Sequence, residues 1–137
     1  MKKLFVLLFL LAGVANTFAQ EAKSTAPKVN GPVLTFEKSS HDFGDIYQGD
    51  NVEHVFKFTN TGNEPLIISN IQVTCGCTAP SWPKNPIPPG GKGEIKIGFN
   101  SAGKMGRQNK TVTVVSNAVN EDNLISFVTN ILAKNPQ

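Results

Sequence analysis

The stretch Val52-Glu53-His54-Val55-Phe56-Lys57-Phe58-Thr59, closed by Asn60-Thr61-Gly62-Asn63-Glu64-Pro65, decides the fold class. Val52, Phe56 and Phe58 fall on one side of an extended chain. Glu53, Lys57 and Thr59 fall on the other. A period of two marks a half-buried strand. The six residues after it are turn formers, so the strand stops there. Outward from this stretch the same grammar repeats. Leu66 to Val73 is an Ile-rich strand with weaker alternation. Pro86-Ile87-Pro88-Pro89-Gly90-Gly91 breaks the chain. Ile95, Ile97 and Phe99 then alternate with Glu94 and Lys96. Asn100 to Gly106 is a loop, and Thr111 to Val115, β-branched throughout, reads as a buried strand. Asn117 to Asn123 turns the chain into a last strand marked by Ile125, Phe127 and Ile131. Upstream, Val33 to Phe36 and His41 to Phe43 supply one irregular edge strand.

Outside the N-terminus no window places apolar residues at helical spacing. Nine prolines and twelve glycines oppose long helices. About seven short strands with these turns predict an all-β, antiparallel β-sandwich. A closed barrel is the alternative. The chain has no tight two-residue hairpin signal, which favours connections that cross between sheets. The length of 137 residues, with 39% hydrophobic and 17% charged residues, fits one folded domain and opposes disorder.

The N-terminus has a different character. Lys2 and Lys3 precede an apolar run from Leu4 to Ala15, and Thr17-Phe18-Ala19 offers small residues for cleavage before Gln20. This order predicts a secretory signal peptide over residues 1–19. The run is too short for a spanning helix, which needs about 20 apolar residues. Residues 20–32 read as a flexible spacer and 33–134 as the domain. Lys2 and Lys3 leave with the leader, so the formal charge falls from +3 to +1. With scattered lysines, no clustered basic footprint for nucleic acid remains. The expected location is periplasmic or secreted, with no membrane span after cleavage near Ala19.

Several separated segments carry a resemblance. They are Phe43-Gly44-Asp45-Ile46 with Gly49, Phe56 to Gly62, Pro65 to Ile68, Cys75-Gly76-Cys77-Thr78, Pro88-Pro89-Gly90, Ile95 to Phe99 and Val115-Ser116-Asn117. In this order the chain, from about Leu34 to Ile131, resembles the bacterial family called domain of unknown function 1573. The resemblance implies an immunoglobulin-like sandwich akin to Hydin-type and major-sperm-protein-type domains. Those relatives are mostly interaction or scaffolding modules. It carries no catalytic residues to transfer.

Cys75-Gly76-Cys77 is the sharpest chemical feature. On a regular strand the two Cα atoms would lie about 6.6 Å apart. A disulfide prefers about 5.5–6 Å, so a bond needs a turn, which Gly76 would help to form. Closing three residues would contribute only about 1.6 kcal/mol by loop entropy. Four readings stand: a local disulfide at the sandwich edge, two thiols holding a soft metal such as Cu(I), thiol–disulfide exchange, and a mixed disulfide with a partner or buried reduced thiols. His41 and His54 could assist a metal, although His54 alternates with Phe56 and Phe58 and reads as lining that face. Exchange chemistry wants a thiolate near a helix N-terminus or cation. No helix is expected, and Lys84 is the nearest cation in sequence.

Other signals are weaker. Asp42, Asp45 and Asp50 lie near His41 and read as turn residues rather than an acid–base pair. Nucleophile-elbow, phosphate-loop, zinc-protease and calcium-loop patterns are absent. Trp82, in Pro80-Ser81-Trp82-Pro83, marks a candidate binding loop, with capping of the core as the plainer role. The sequence therefore predicts an exported, non-enzymatic binding or scaffolding module with a protein partner in the cell envelope and no resident cofactor. A thiol-based site at Cys75 and Cys77, for copper or exchange, is the alternative.

Overall fold

The computed structural model describes residues 29–135. The leader reading, and residues 20–28 of the spacer, lie outside them. Eight strands follow in order: β1 (Leu34–Phe36), β2 (Ser40–Tyr47), β3 (Asn51–Asn60), β4 (Ile68–Val73), β5 (Thr78–Ser81), β6 (Lys92–Asn100), β7 (Gly106–Ser116) and β8 (Leu124–Leu132). They form two four-stranded sheets, β1-β3-β6-β5 and β2-β8-β7-β4. This is the predicted sandwich. Among the described residues no helix is long and apolar enough to cross a membrane.

Two details differ from the sequence reading. The single irregular edge strand is two strands in different sheets. β1 pairs antiparallel with β3, and β2 pairs parallel with β8, so the sandwich is not wholly antiparallel. The chain crosses from one sheet to the other between Phe36 and Ser40. The eighth strand is β5, which Pro80 hides from sequence reading. β5 pairs only with β6. An edge strand has an unpaired side, where the missing proline N–H costs nothing. Thr111–Val115 lies in a strand that is longer and less buried than expected. Only Val112 and Val114 of that stretch are fully buried.

The alternating residues meet between the sheets. Phe56 and Phe58 from β3, Ile95, Ile97 and Phe99 from β6, and Val112, Val114, Ile125, Phe127 and Ile131 from the other sheet are almost fully buried. Phe99 and Phe127 meet across the layers with ring centroids 5.2 Å apart. Each such side chain stabilises the fold by about 1.5–3 kcal/mol on burial.

The two ends of the sandwich are tied by buried polar side chains. At one end Asn60 is fully buried. Its Nδ2 donates to Glu64 O at 2.7 Å and to Ile87 O at 3.0 Å. Its Oδ1 accepts from Val33 N at 3.2 Å and Gly62 N at 3.1 Å. At the other end buried Ser101 shares its one hydroxyl proton between Tyr47 O (2.7 Å from Oγ) and Asp50 O (3.0 Å). Gly31 and Pro32, assigned to the spacer by sequence, are buried parts of the domain. Gly31 N bonds Asn63 Oδ1, and Pro32 O accepts from Val119 N.

Candidate functional site

The chain leaves β4 after Val73 and crosses to β5 in the other sheet through Cys75-Gly76-Cys77. This segment is a turn, as a bond between the cysteines requires. The Cα atoms are 5.3 Å apart and the two sulfurs are joined as a disulfide. Thr78 N donates to Cys75 O at 3.3 Å, and Asn100 N donates to Cys77 O at 2.9 Å, which fixes the turn to β6. Thr78 Oγ1 sits 3.8 and 3.9 Å from the two sulfurs. Cys77 packs against the core. Gly76 has no left-handed φ, and a Cβ there would meet nothing within 4 Å, so the turn does not depend on glycine.

The residues considered as helpers lie elsewhere. His41 and His54 do come together, but on each other: their rings stack at 3.6 Å, tilted by 9°. Phe43 meets His41 edge-on, and Phe56 meets His54 edge-on, each at 4.6 Å. The pair fills the seam where β2 of one sheet faces β3 of the other. Stacked rings do not aim their nitrogens at a common point, so this is packing rather than a ligand set. Among the described residues no three His, Cys, Asp or Glu side chains gather as metal ligands. Lys84 lies 3.1 Å from the Trp82 ring centroid. Trp82 is half-buried against the core, with its Nε1 buried and unpartnered. That position fits a core cap. The three aspartates are held separately. Asp42 accepts from Gly44 N, Asp45 from Asn130 Nδ2 and Asp50 from Tyr47 N.

The histidine seam has a thermodynamic consequence. Burial, then the neighbouring His41, then Lys38 hold the His54 imidazole below its ordinary pKa. The unfolded chain therefore binds the proton more readily than the folded one. Stability is complete above the ordinary histidine pKa of about 6.5 and is lost as pH falls through the lowered folded value. Urea denaturation at pH 7.5 and pH 5.0 should show lower stability at pH 5.0, and His54→Gln should flatten that difference. An unchanged slope in His54→Gln would refute this source of pH dependence.

What sequence reasoning missed at this end is a length of open strand. β8 pairs with β7 from Gly106 to Thr113, whereas β4 covers β7 only from Val112 to Ser116. Gly106–Thr111 therefore has a neighbour on one side alone. The only sequence signal is that β4 is shorter than β7, and neither boundary is legible before pairing is known.

Comparison with known proteins bears on fold and family. A family model described as protein of unknown function (DUF1573) matches residues 34–131. No curated protein sequence matches the chain. Among solved structures, a protein of unknown function from Porphyromonas gingivalis W83 superposes with TM-score 0.64 at 14% identity, over 80% of this chain and 51% of that one. The chain thus spans about half of that protein. The PapD-like domain 7 of human CEP192 superposes with TM-score 0.58 at 13% identity, over 80% of this chain and 94% of the domain. The secreted serine protease VesC from Vibrio cholerae gives 0.51 at 16% identity, over 74% of this chain and 23% of the protease. At these identities the likeness is one of fold alone.

Proposed function

Because the chain belongs to the DUF1573 family, whose function is unknown, we propose that it is an exported, non-enzymatic binding module of the cell envelope, periplasmic or secreted. The observation that carries the reading is the closed state of the Cys75–Cys77 turn. The chain's two cysteines are joined to each other, and their turn is hydrogen-bonded to Thr78 and β6, with Lys84 engaged on Trp82 and the histidines engaged on each other. In that arrangement the turn stiffens one end of a filled sandwich. A stiff loop end loses little entropy when a partner settles on it.

The test compares wild type with the Cys75→Ser/Cys77→Ser double variant after crosslinking in the native envelope. The variant is expected to lose at most about 1.6 kcal/mol of stability and to retain the same crosslinked partner. A different result would transfer the function to the thiols: loss of the partner or phenotype in a well-folded variant, together with Cu(I) retention or dithiol exchange by the wild type.

A further inference from the structure

We infer that the open edge of β7, Gly106–Thr111, is a docking strand for an extended acidic segment of a partner protein, which adds in the line that β4 vacates. This rests on the reading of the protein as a binding module. Every second residue of the segment turns its N–H and C=O away from β8. No other backbone hydrogen bond reaches these residues. The chain that would have covered them turns away at Val73 into the disulfide-closed turn, which stands at the head of the vacant track.

The other sheet edges are poor acceptors. β1 has three residues. β2 is interrupted between Asp42 and Asp45, where Gly44 has φ +69°. β4 shifts register between Ile68 and Asn70. β5 has four residues, one of them Pro80. Short strands, bulges and prolines are the devices that prevent edge pairing. The β7 segment has no proline and no register shift; its one left-handed residue, Gly106 at φ +75°, stands at its start, and its edge charges, Arg107 and Lys110, oppose a like-charged strand.

Charge selects the occupant. Lys104, Arg107 and Lys110 lie on or beside this edge, and among the described residues none has an ion-pair partner. A second copy of the chain is disfavoured, since pairing this segment with itself would bring two Arg107 and two Lys110 into one short ladder whose residues include no carboxylate. The segment 20–28, with Lys23 and Lys28 against Glu21, has the wrong sign as well. An acidic strand satisfies both the ladder and the charges.

The probe is a ten-residue peptide of alternating glutamate and valine with blocked ends. It is compared with its lysine–valine counterpart and with a fully N-methylated acidic version that keeps the charge but has no backbone N–H. On titration into the mature protein, the acidic peptide should shift the backbone amide resonances of Gly106–Thr111 and the Cys75–Cys77 turn. The methylated peptide should bind at least tenfold more weakly, and the lysine peptide should not bind. Arg107→Glu/Lys110→Glu should weaken the acidic peptide tenfold or more and admit the lysine peptide. Equal binding of the methylated peptide, shifts confined to another face, or no binding would each overturn the proposal. Photo-crosslinking in the envelope separates the two levels. A partner caught from Glu121, at the opposite end, and not from Asn109 overturns the docking strand while sparing the binding module. No partner from either position overturns both.

Discussion

Asn60→Ala is expected to cost about 3–5 kcal/mol of folding stability. Three backbone groups lose their partners at once, Val33 N, Gly62 N and Glu64 O, and Ile87 O keeps only the Leu66 N–H. The residue is fully buried. A buried polar group left unpaired costs about 1–3 kcal/mol, and water entering the vacated space recovers part of it. Against a total stability of about 5–15 kcal/mol, the loss is a large fraction. The melting temperature should fall by roughly 15 °C or more. Asn60→Asp has nearly the same shape and tests the cause. It would set a carboxylate oxygen against the Glu64 and Ile87 carbonyls, which favours the protonated, donating form. The folded pKa of that aspartate is then raised above its unfolded value. Its stability would be greatest at low pH and lost as pH rises through the folded pKa. Thermal denaturation of both variants at pH 4 and pH 7 decides the matter. A melting temperature within a few degrees of wild type for Asn60→Ala would show that the hydrogen-bond hub contributes little.

Asn60 also marks the boundary of what was legible in the chain. As sequence it is one of two asparagines in a turn cluster, and nothing local distinguishes a buried hub from an exposed turn residue. Its partners lie at Val33 and Ile87, which only the assembled sandwich brings near. The strands themselves were legible because alternation is local: Phe56 and Phe58, or Ile95 and Ile97, report their own face. The sheet switch between Phe36 and Ser40 was not. It depends on β3 ending one pairing and β8 offering another, some 85 positions later in the register His41 to Phe127. β5 escaped because Pro80 argues against a central strand and is silent about an edge.

The candidate site divides along the same line. Cys75 and Cys77 are two residues apart, so the need for a turn followed from strand geometry, and the 5.3 Å Cα separation agrees with it. The histidine stack joins strands of different sheets, and residue spacing says nothing about such a meeting. The open edge of β7 is a difference between two strand lengths. It becomes visible only when the register of β4 on β7 is known.

Gly62→Ala is expected to destabilise the domain by about 3 kcal/mol or more, the upper end of what overpacking costs. A Cβ at Gly62 would lie 2.6 Å from Val33 N and 2.9 Å from the Pro32 carbonyl carbon, and would overlap Gly31 O. All three are main-chain atoms, so no side-chain rotation relieves the collision. The reason is space rather than dihedral angle, since Gly62 does not have a left-handed φ. The segment that would be displaced is held by Thr61 N to Val33 O at 3.0 Å, Asn63 N to Gly31 O at 3.1 Å and Gly31 N to Asn63 Oδ1 at 2.7 Å. Relief of the clash therefore breaks this clamp and loosens β1 from β3. Amide exchange of Thr61 and Asn63 should accelerate before the rest of the sheet does. Gly76→Ala is the matched control. Its Cβ meets nothing within 4 Å, and its effect should stay within about 0.5 kcal/mol. Urea unfolding of the two variants side by side separates the roles. Equal stability of Gly62→Ala and Gly76→Ala would mean that the approach of Gly31–Val33 to the Asn60–Gly62 turn is not close in solution, and the register of β1 would then have to be set by Leu34 and Phe36 alone.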